Sequence, residues 1–336
     1  MRPRLPANAF AGLSFVVLGA LPLHADTAAA NAALLHGRVD EATAMLKSEL
    51  ASNPSNATAH LLLCRAAYAQ DQADAAVDEC RKAVAGEPSS SDAQMWLGRA
   101  LGLKTTHSSL FSQMGLAKQV RTAFERAVQL SPSNVHAASD LGEFYIHAPG
   151  MVGGGADKAR SLAASLQQYS PARSHRLLAQ LAQKNGDMTT AENEFKAAID
   201  SGKTAETYID LAIFYQQTKR TDQILPTINK ALAADRTHGP AEVDAASILT
   251  KSGLAPQIAQ KALRDYLRSD AQTDETPAFK VHTQLGDLLK SKDPEGARRE
   301  YQAALALASG YGPARKGLQS LPAEPQPSAS TSKGTR

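Results

Sequence analysis

The side chains best suited to chemistry are few and scattered. Cys64 and Cys80 are the only thiols in 336 residues. Such a pair either closes a disulfide or sits as two small buried thiols, and with no histidine or further cysteine around it, zinc ligation is not indicated. The run Gly153-Gly154-Gly155 and the separate Gly202-Lys203-Thr204 invite a phosphate-cradling reading. The first is not followed by Gly-Lys-Ser/Thr and no strand precedes it. The second has Ala197 where the earlier glycine belongs, so neither supports nucleotide binding. Ser330 and Lys333 have the spacing of a Ser-x-x-Lys nucleophile, but in a Pro/Ser-rich stretch that cannot preorganise a site. There is no His-Glu-x-x-His and no Gly-x-Ser-x-Gly, and the nine histidines are dispersed. The expectation is a protein without a catalytic constellation, cofactor or metal site.

The bulk properties narrow the class. Hydrophobic residues make up 43%, charged residues 21% and aromatics 5%. Ala and Leu dominate and β-branched runs are few, which favours helices packed through small side chains. The formal charge is +3, with no concentrated basic stripe, so no nucleic-acid partner is expected. Residues 1–25 read as a signal peptide: Arg2 and Arg4, an apolar stretch over residues 10–21, and Leu23-His24-Ala25 before Asp26. The apolar run is short for a bilayer and no cysteine follows it, so a periplasmic or secreted protein without an integral span after cleavage is expected. An uncleaved anchor is the alternative.

The elements that position these residues come from internal repetition. Pro54, Pro88, Pro132 and Pro171 close successive units and are spaced by 34, 44 and 39 residues. Between them, two helical stretches recur with small residues at packing positions: Leu97-Gly98, Leu141-Gly142, Leu178-Ala179, Leu211-Ala212 and Leu285-Gly286 in the first helix, Ala76, Ala127, Ala159, Ala198 and Ala297 in the second. Helix-interior glycines cost about 1 kcal/mol each against alanine, and close helix contact is the expected compensation. Asn56, Asn134 and Asp187 stand where N-caps are wanted, and Pro226 and Pro256 read as lying near the start of second helices.

This pattern resembles the tetratricopeptide-repeat family. The resemblance implies an all-α, right-handed superhelical solenoid of antiparallel helix pairs over residues 26–321, about eight units plus a capping helix. Residues 322–336 read as a disordered Pro/Ser-rich tail. Insertions near 102–119 and 147–155 lengthen units three and four. The first is either a continued helix or a loop whose Leu110, Phe111 and Met114 plug the array; the second is a tight connection. Cys64 and Cys80 take facing positions of one helix pair, and the inferred export favours a disulfide between them. His60, His175 and His282 share one helix position and read as packing residues.

The family's first helices line a concave groove that receives peptide segments. Carried over, this puts Arg65, Arg99, Glu143, Arg176, Gln180 and Gln217 on the groove. Arg65 and Arg99, one repeat apart, suit a carboxylate held bidentately, with solvated surface arginines as the alternative. The paired Lys and Asn clamp of the chaperone-tail subgroup is missing. The expectation is an exported scaffold for a protein or peptide partner, with cell-envelope assembly as its setting; the alternative is an accessory subunit of an envelope enzyme complex. The partner's identity and the oligomeric state are unknown from sequence.

Overall fold

The computed structural model describes residues 24–322. Apart from its last two residues the expected signal segment lies outside them, as does the tail beyond Pro322. Among the described residues the chain forms seventeen α-helices and one short 3-10 turn, Gly150–Val152, and no strand. Eight antiparallel pairs follow in order: α1 (His24–Leu35) with α2 (Val39–Ser52), α3 (Ala57–Ala69) with α4 (Ala73–Gly86), α5 (Ser91–Thr106) with α6 (Leu110–Leu130), and α7 (Val135–His147) with α8 (Ala156–Leu166). The second half comprises α9 (Pro171–Lys184) with α10 (Met188–Gly202), α11 (Ala205–Gln217) with α12 (Thr221–Ala234), α13 (Pro240–Lys251) with α14 (Pro256–Arg268), and α15 (Ala278–Leu289) with α16 (Pro294–Leu307). A final helix, α17 (Gly312–Gln319), covers the last pair.

Local chemistry sets these boundaries. The side chains of Asn56, Asn134 and Asp187 each accept the backbone N–H three residues on, satisfying a donor the helix start would otherwise leave open. Pro256 is the first residue of its helix, where its missing N–H is harmless. Pro226 corrects the sequence reading: it lies well inside α12, where its missing N–H leaves the Asp222 carbonyl without the usual helical donor. The interior glycines are explained by contact. A Cβ on Gly98 would lie 2.5 Å from the Phe124 ring, and one on Gly286 2.7 Å from the Tyr301 ring, both within their own helix pair.

The two insertions are absorbed differently. In the third pair both helices lengthen, α5 to 16 residues and α6 to 21, leaving only residues 107–109 between them. The side chains of Leu110 and Phe111 are outside the description, but Met114 is 47% exposed and does not plug the array. In the fourth pair the glycines form a hard turn. The amides of Gly153, Gly154 and Gly155 donate to the carbonyls of Gly150, Pro149 and Tyr145, which leaves none of them to cradle a phosphate.

The solenoid closes on itself. Ala30, Ala33, Leu34, Val39 and Leu46 of the first pair share one buried cluster with Phe279, Ala304, Ala308, Tyr311 and Ala314 at the other end. Phe279 and Tyr311 meet edge to face at 4.8 Å. A Cβ on Gly37, which has φ +70°, would stand 2.8 Å from the Ala278 nitrogen, so the ends approach to backbone contact. Around this seam the Ser309 N–H donates to Asp40 at 2.8 Å and Lys280 pairs with Asp71 at 3.0 Å. Apolar faces that a linear array must cap are here buried against each other.

Candidate functional site

Closure turns the inner surface into a cavity of about 570 Å³, lined from Leu35 of the first pair to Asp244 of the seventh. Arg99, Arg173 and Arg176 face Asp140, Glu143, Glu206, Asp244, Asp274 and Glu275 across it. The first helices α1, α5, α7, α9, α11 and α13 supply most of this wall. The rest is residues 273–276 of the connection between α14 and α15.

The groove residues expected from sequence fall into three groups. Arg65 binds Asp274 bidentately, with Nε and Nη2 each 2.7 Å from a carboxylate oxygen. Arg99 donates from Nε to Asp140 at 2.6 Å and from Nη1 to Glu275 at 3.0 Å. Both guanidiniums lie by the ring of Trp96, at 5.5 Å and 4.8 Å from its centre, a cation–π platform that fixes them side by side. Further along, Arg176 bridges Glu143 at 2.8 Å and Asp210 at 2.9 Å. Gln180 lies beside Glu143, and its Oε1 is buried without a hydrogen-bond partner. Gln217 accepts from Gln183 at 2.7 Å. Neither Arg65 nor Arg99 is a solvated surface arginine.

The electrostatics follow from shared partners. Burial works against the charge on Arg99, but Asp140 and Glu275 together outweigh it and its pKa rises. Asp140 is also pushed up, because burial disfavours its charge and Arg99, divided between two carboxylates, restores only part of the loss. Asp210 behaves likewise beside Arg176. Asp244 is more perturbed: desolvation within the wall, then the charges of Asp210 and Glu206, push it up to about 6, with Lys251 giving a small offset. The wall carries more carboxylate than its arginines neutralise.

Cys64 and Cys80 are joined as a disulfide tying α3 to α4, with Cα atoms 5.1 Å apart. Its position puts the crosslink one residue before Arg65. The three equivalent histidines are hydrogen-bonded pairs bridging the two helices of their unit: His60 to Glu79 at 2.6 Å, His175 to Glu194 at 2.7 Å and His282 to Glu300 at 2.7 Å. One metal-like grouping occurs elsewhere, His238, Glu242 and Asp265, with ligand atoms within 4.8 Å of one another. Its groups already have partners, His238 with Glu242, and Asp265 with Lys261 and Arg268.

Sequence reasoning found Glu143 but missed the rest of the wall's acids and the Trp96 platform. One signal was available: Asp210 stands 34 residues after Arg176, one repeat on, so opposite charges recur at neighbouring inward positions. Asp274 and Glu275 gave none, because they lie between repeats.

The family model for the tetratricopeptide repeat matches residues 33–100. No curated protein matches the chain. Among solved structures, a thermophilic tetratricopeptide-repeat protein of Thermus thermophilus is 19% identical with a TM-score of 0.46, covering 68% of this chain and all of its own. The pilus biogenesis factor PilW is 16% identical with a TM-score of 0.46, over 63% of this chain and 92% of its own. Yeast Tom70 is 14% identical with a TM-score of 0.49, over 83% of this chain and 58% of its own. Residues 33–100, from the end of α1 to most of α5, carry the tetratricopeptide-repeat signature, and the same helix pairing continues to α16.

Proposed function

We propose that the protein is an exported, non-enzymatic scaffold that holds a segment of a partner protein against the inner wall of its closed array, in the assembly of the cell envelope. The observation that carries this reading is the wall itself: Arg99 and Arg65 fixed on Trp96, with Arg99 and the Arg176 bridge lining the central cavity, and the unpartnered Gln180 acceptor in the adjoining cavity that Arg176 also lines. Fixed donors and acceptors on rigid helices recognise a peptide without a catalytic group. Export draws support from the charged and apolar pattern of the first 25 residues and from the Cys64–Cys80 disulfide, a bond that persists in oxidising compartments.

The test is photocrosslinking in the native cell from a benzoylphenylalanine placed at Gln217, with and without R65A/R99A. A discrete partner captured by the parent chain and lost in the double variant is the expected result. Capture undiminished by R65A/R99A removes the groove assignment. Mass measurement of the exported chain checks processing: a new N-terminus at Asp26 is expected, and recovery of the chain only from the cytoplasm with Met1 retained overturns export.

A further inference from the structure

The binding wall is already occupied by the protein's own chain. Residues 273–276, in the connection between α14 and α15, line the cavity, where Asp274, with its side chain only 3% exposed, forms the bidentate pair with Arg65, while Glu275 reaches Arg99. These two arginines come from adjacent pairs, far in sequence from the acids they hold, and they stand side by side because Trp96 orders them. Nothing in helix pairing requires an acidic dipeptide here.

Resting on the groove reading above, we propose that the 273–276 turn is an internal ligand. Asp274 and Glu275 hold the places that two neighbouring carboxylates of an acidic partner segment take, and the partner binds by displacing them. The chemistry fixes the partner's class. Arg65 is largely enclosed, so an incoming segment that brought no carboxylate would leave a buried guanidinium unpaired. An acidic segment exchanges like for like, and planar bidentate recognition favours a carboxylate at that position. The route in is through Glu275, whose side chain is 50% exposed and which lines both the central cavity and the adjoining one beside Tyr68 and Asp140.

The turn can leave without opening the ring. The seam is held by the separate apolar cluster around Leu34, Leu46, Phe279 and Tyr311. The Tyr266 phenol fastens the turn to its own unit, beside the preceding Gln272, whose side-chain amide donates to the Leu267 carbonyl at 2.9 Å. The Tyr266 hydroxyl accepts from the Thr273 N–H at 3.0 Å and donates to the Thr276 carbonyl, with the ring buried below. Trp96 is the only tryptophan in the chain and lies under both arginines, so its fluorescence reports exchange at the site.

The experiment titrates the full chain with a synthetic, terminally blocked peptide of residues 270–277, and with its Asn/Gln counterpart at positions 274 and 275, following Trp96 fluorescence. We expect weak binding of the acidic peptide by the parent chain and at least tenfold tighter binding by D274N/E275Q. Loss of that binding is expected when R65A/R99A is added, and with the neutral peptide. Tyr266→Phe, which keeps the buried ring and both acids but loses the hydroxyl, is expected to tighten binding several-fold, so the proposal stays testable if D274N/E275Q does not fold. Equal affinity in the parent, D274N/E275Q and Tyr266→Phe, still dependent on Arg65 and Arg99, overturns the internal ligand while the groove reading stands. No binding by any folded variant, with partner crosslinking intact, also overturns it. The groove reading itself falls only if crosslinking survives R65A/R99A.

Discussion

The chain brings its two ends together twice, and the two meetings have opposite chemistry. At the seam, alanines, leucines, Phe279 and Tyr311 pack at nearly zero exposure. At the wall, Arg65 and Arg99 meet Asp274 and Glu275. Apolar burial contributes about 1.5–3 kcal/mol for a fully enclosed large side chain, with little to oppose it. A buried ion pair must first recover the desolvation of both charges, and its net contribution is often near zero. The seam therefore keeps the ring closed, whereas the wall makes specific contacts that a competitor of the right charge can replace at small net cost. Within a few residues of chain, Asp274 serves the second and Phe279 the first.

The most severe way to break this contrast is at the seam. Phe279→Ala should cost about 3–5 kcal/mol, the usual range for emptying a buried aromatic site. Without that contact the ends uncouple, and because repeats are stabilised through neighbours, urea unfolding should lose its single sharp transition as well as move to lower denaturant. A variant that keeps one sharp transition at the parent midpoint would show that the ends do not support one another. Next in size is the Cys64–Cys80 bond. It closes a 16-residue separation, for which the chain-entropy account gives about 3 kcal/mol. Since α3 faces the seam through Leu62 and Ala66 and the wall through Arg65, reduction should lower the midpoint and also weaken peptide capture. Thermal melts with and without reductant, alongside C64A/C80A, check this.

Much of this can be read from the sequence because it is local. The helix pairs, the caps at Asn56, Asn134 and Asp187 and the cysteine pair all depend on residues a few turns apart, and the proline spacing fixes their register. Pro226 is misread from sequence because its meaning depends on where α12 begins, and Thr221 carries no strong start signal. The groove arginines are legible as positions and not as partners. Arg65 and Asp274 are 209 residues apart, and no repeat rule relates a helix face to an inter-repeat turn. Closure is likewise a sum of small rotations over eight pairs, a quantity that side-chain pattern alone does not encode.

A double-mutant cycle sharpens the wall's side of the comparison. Arg65→Ala alone should cost about 2 kcal/mol, below the 3–5 of a fully enclosed pair because the arginine keeps 21% of its surface, and much of that cost is the Asp274 carboxylate left buried. Replacing both, as R65M/D274L, should return most of it. Denaturant midpoints for the two singles and the double check the cycle. If the double variant is as unstable as the sum of its singles, the pair is not coupled, and the wall cannot be set against the seam as exchangeable.

The smallest effect concerns the surplus acid on the wall. Asp244 is pushed up to about 6 from an ordinary value of 3.8, by desolvation and by the facing Asp210 and Glu206. A carboxyl raised on folding binds its proton more tightly in the native state, so between about pH 4 and pH 6 the native chain holds a proton that the unfolded chain has released. The contribution is therefore a stability that is lost as pH rises through that window, with the full penalty present at neutral pH. Solvent reaches Asp244, so screening reduces the penalty to about 1 kcal/mol or less. Asp244→Asn should be more stable than the parent at pH 7 by that amount, and the two should converge near pH 4. Urea midpoints measured in parallel from pH 4 to pH 8 test this. A gap that is constant with pH would mean that the substitution acts through packing, and that the acid excess does not strain the wall.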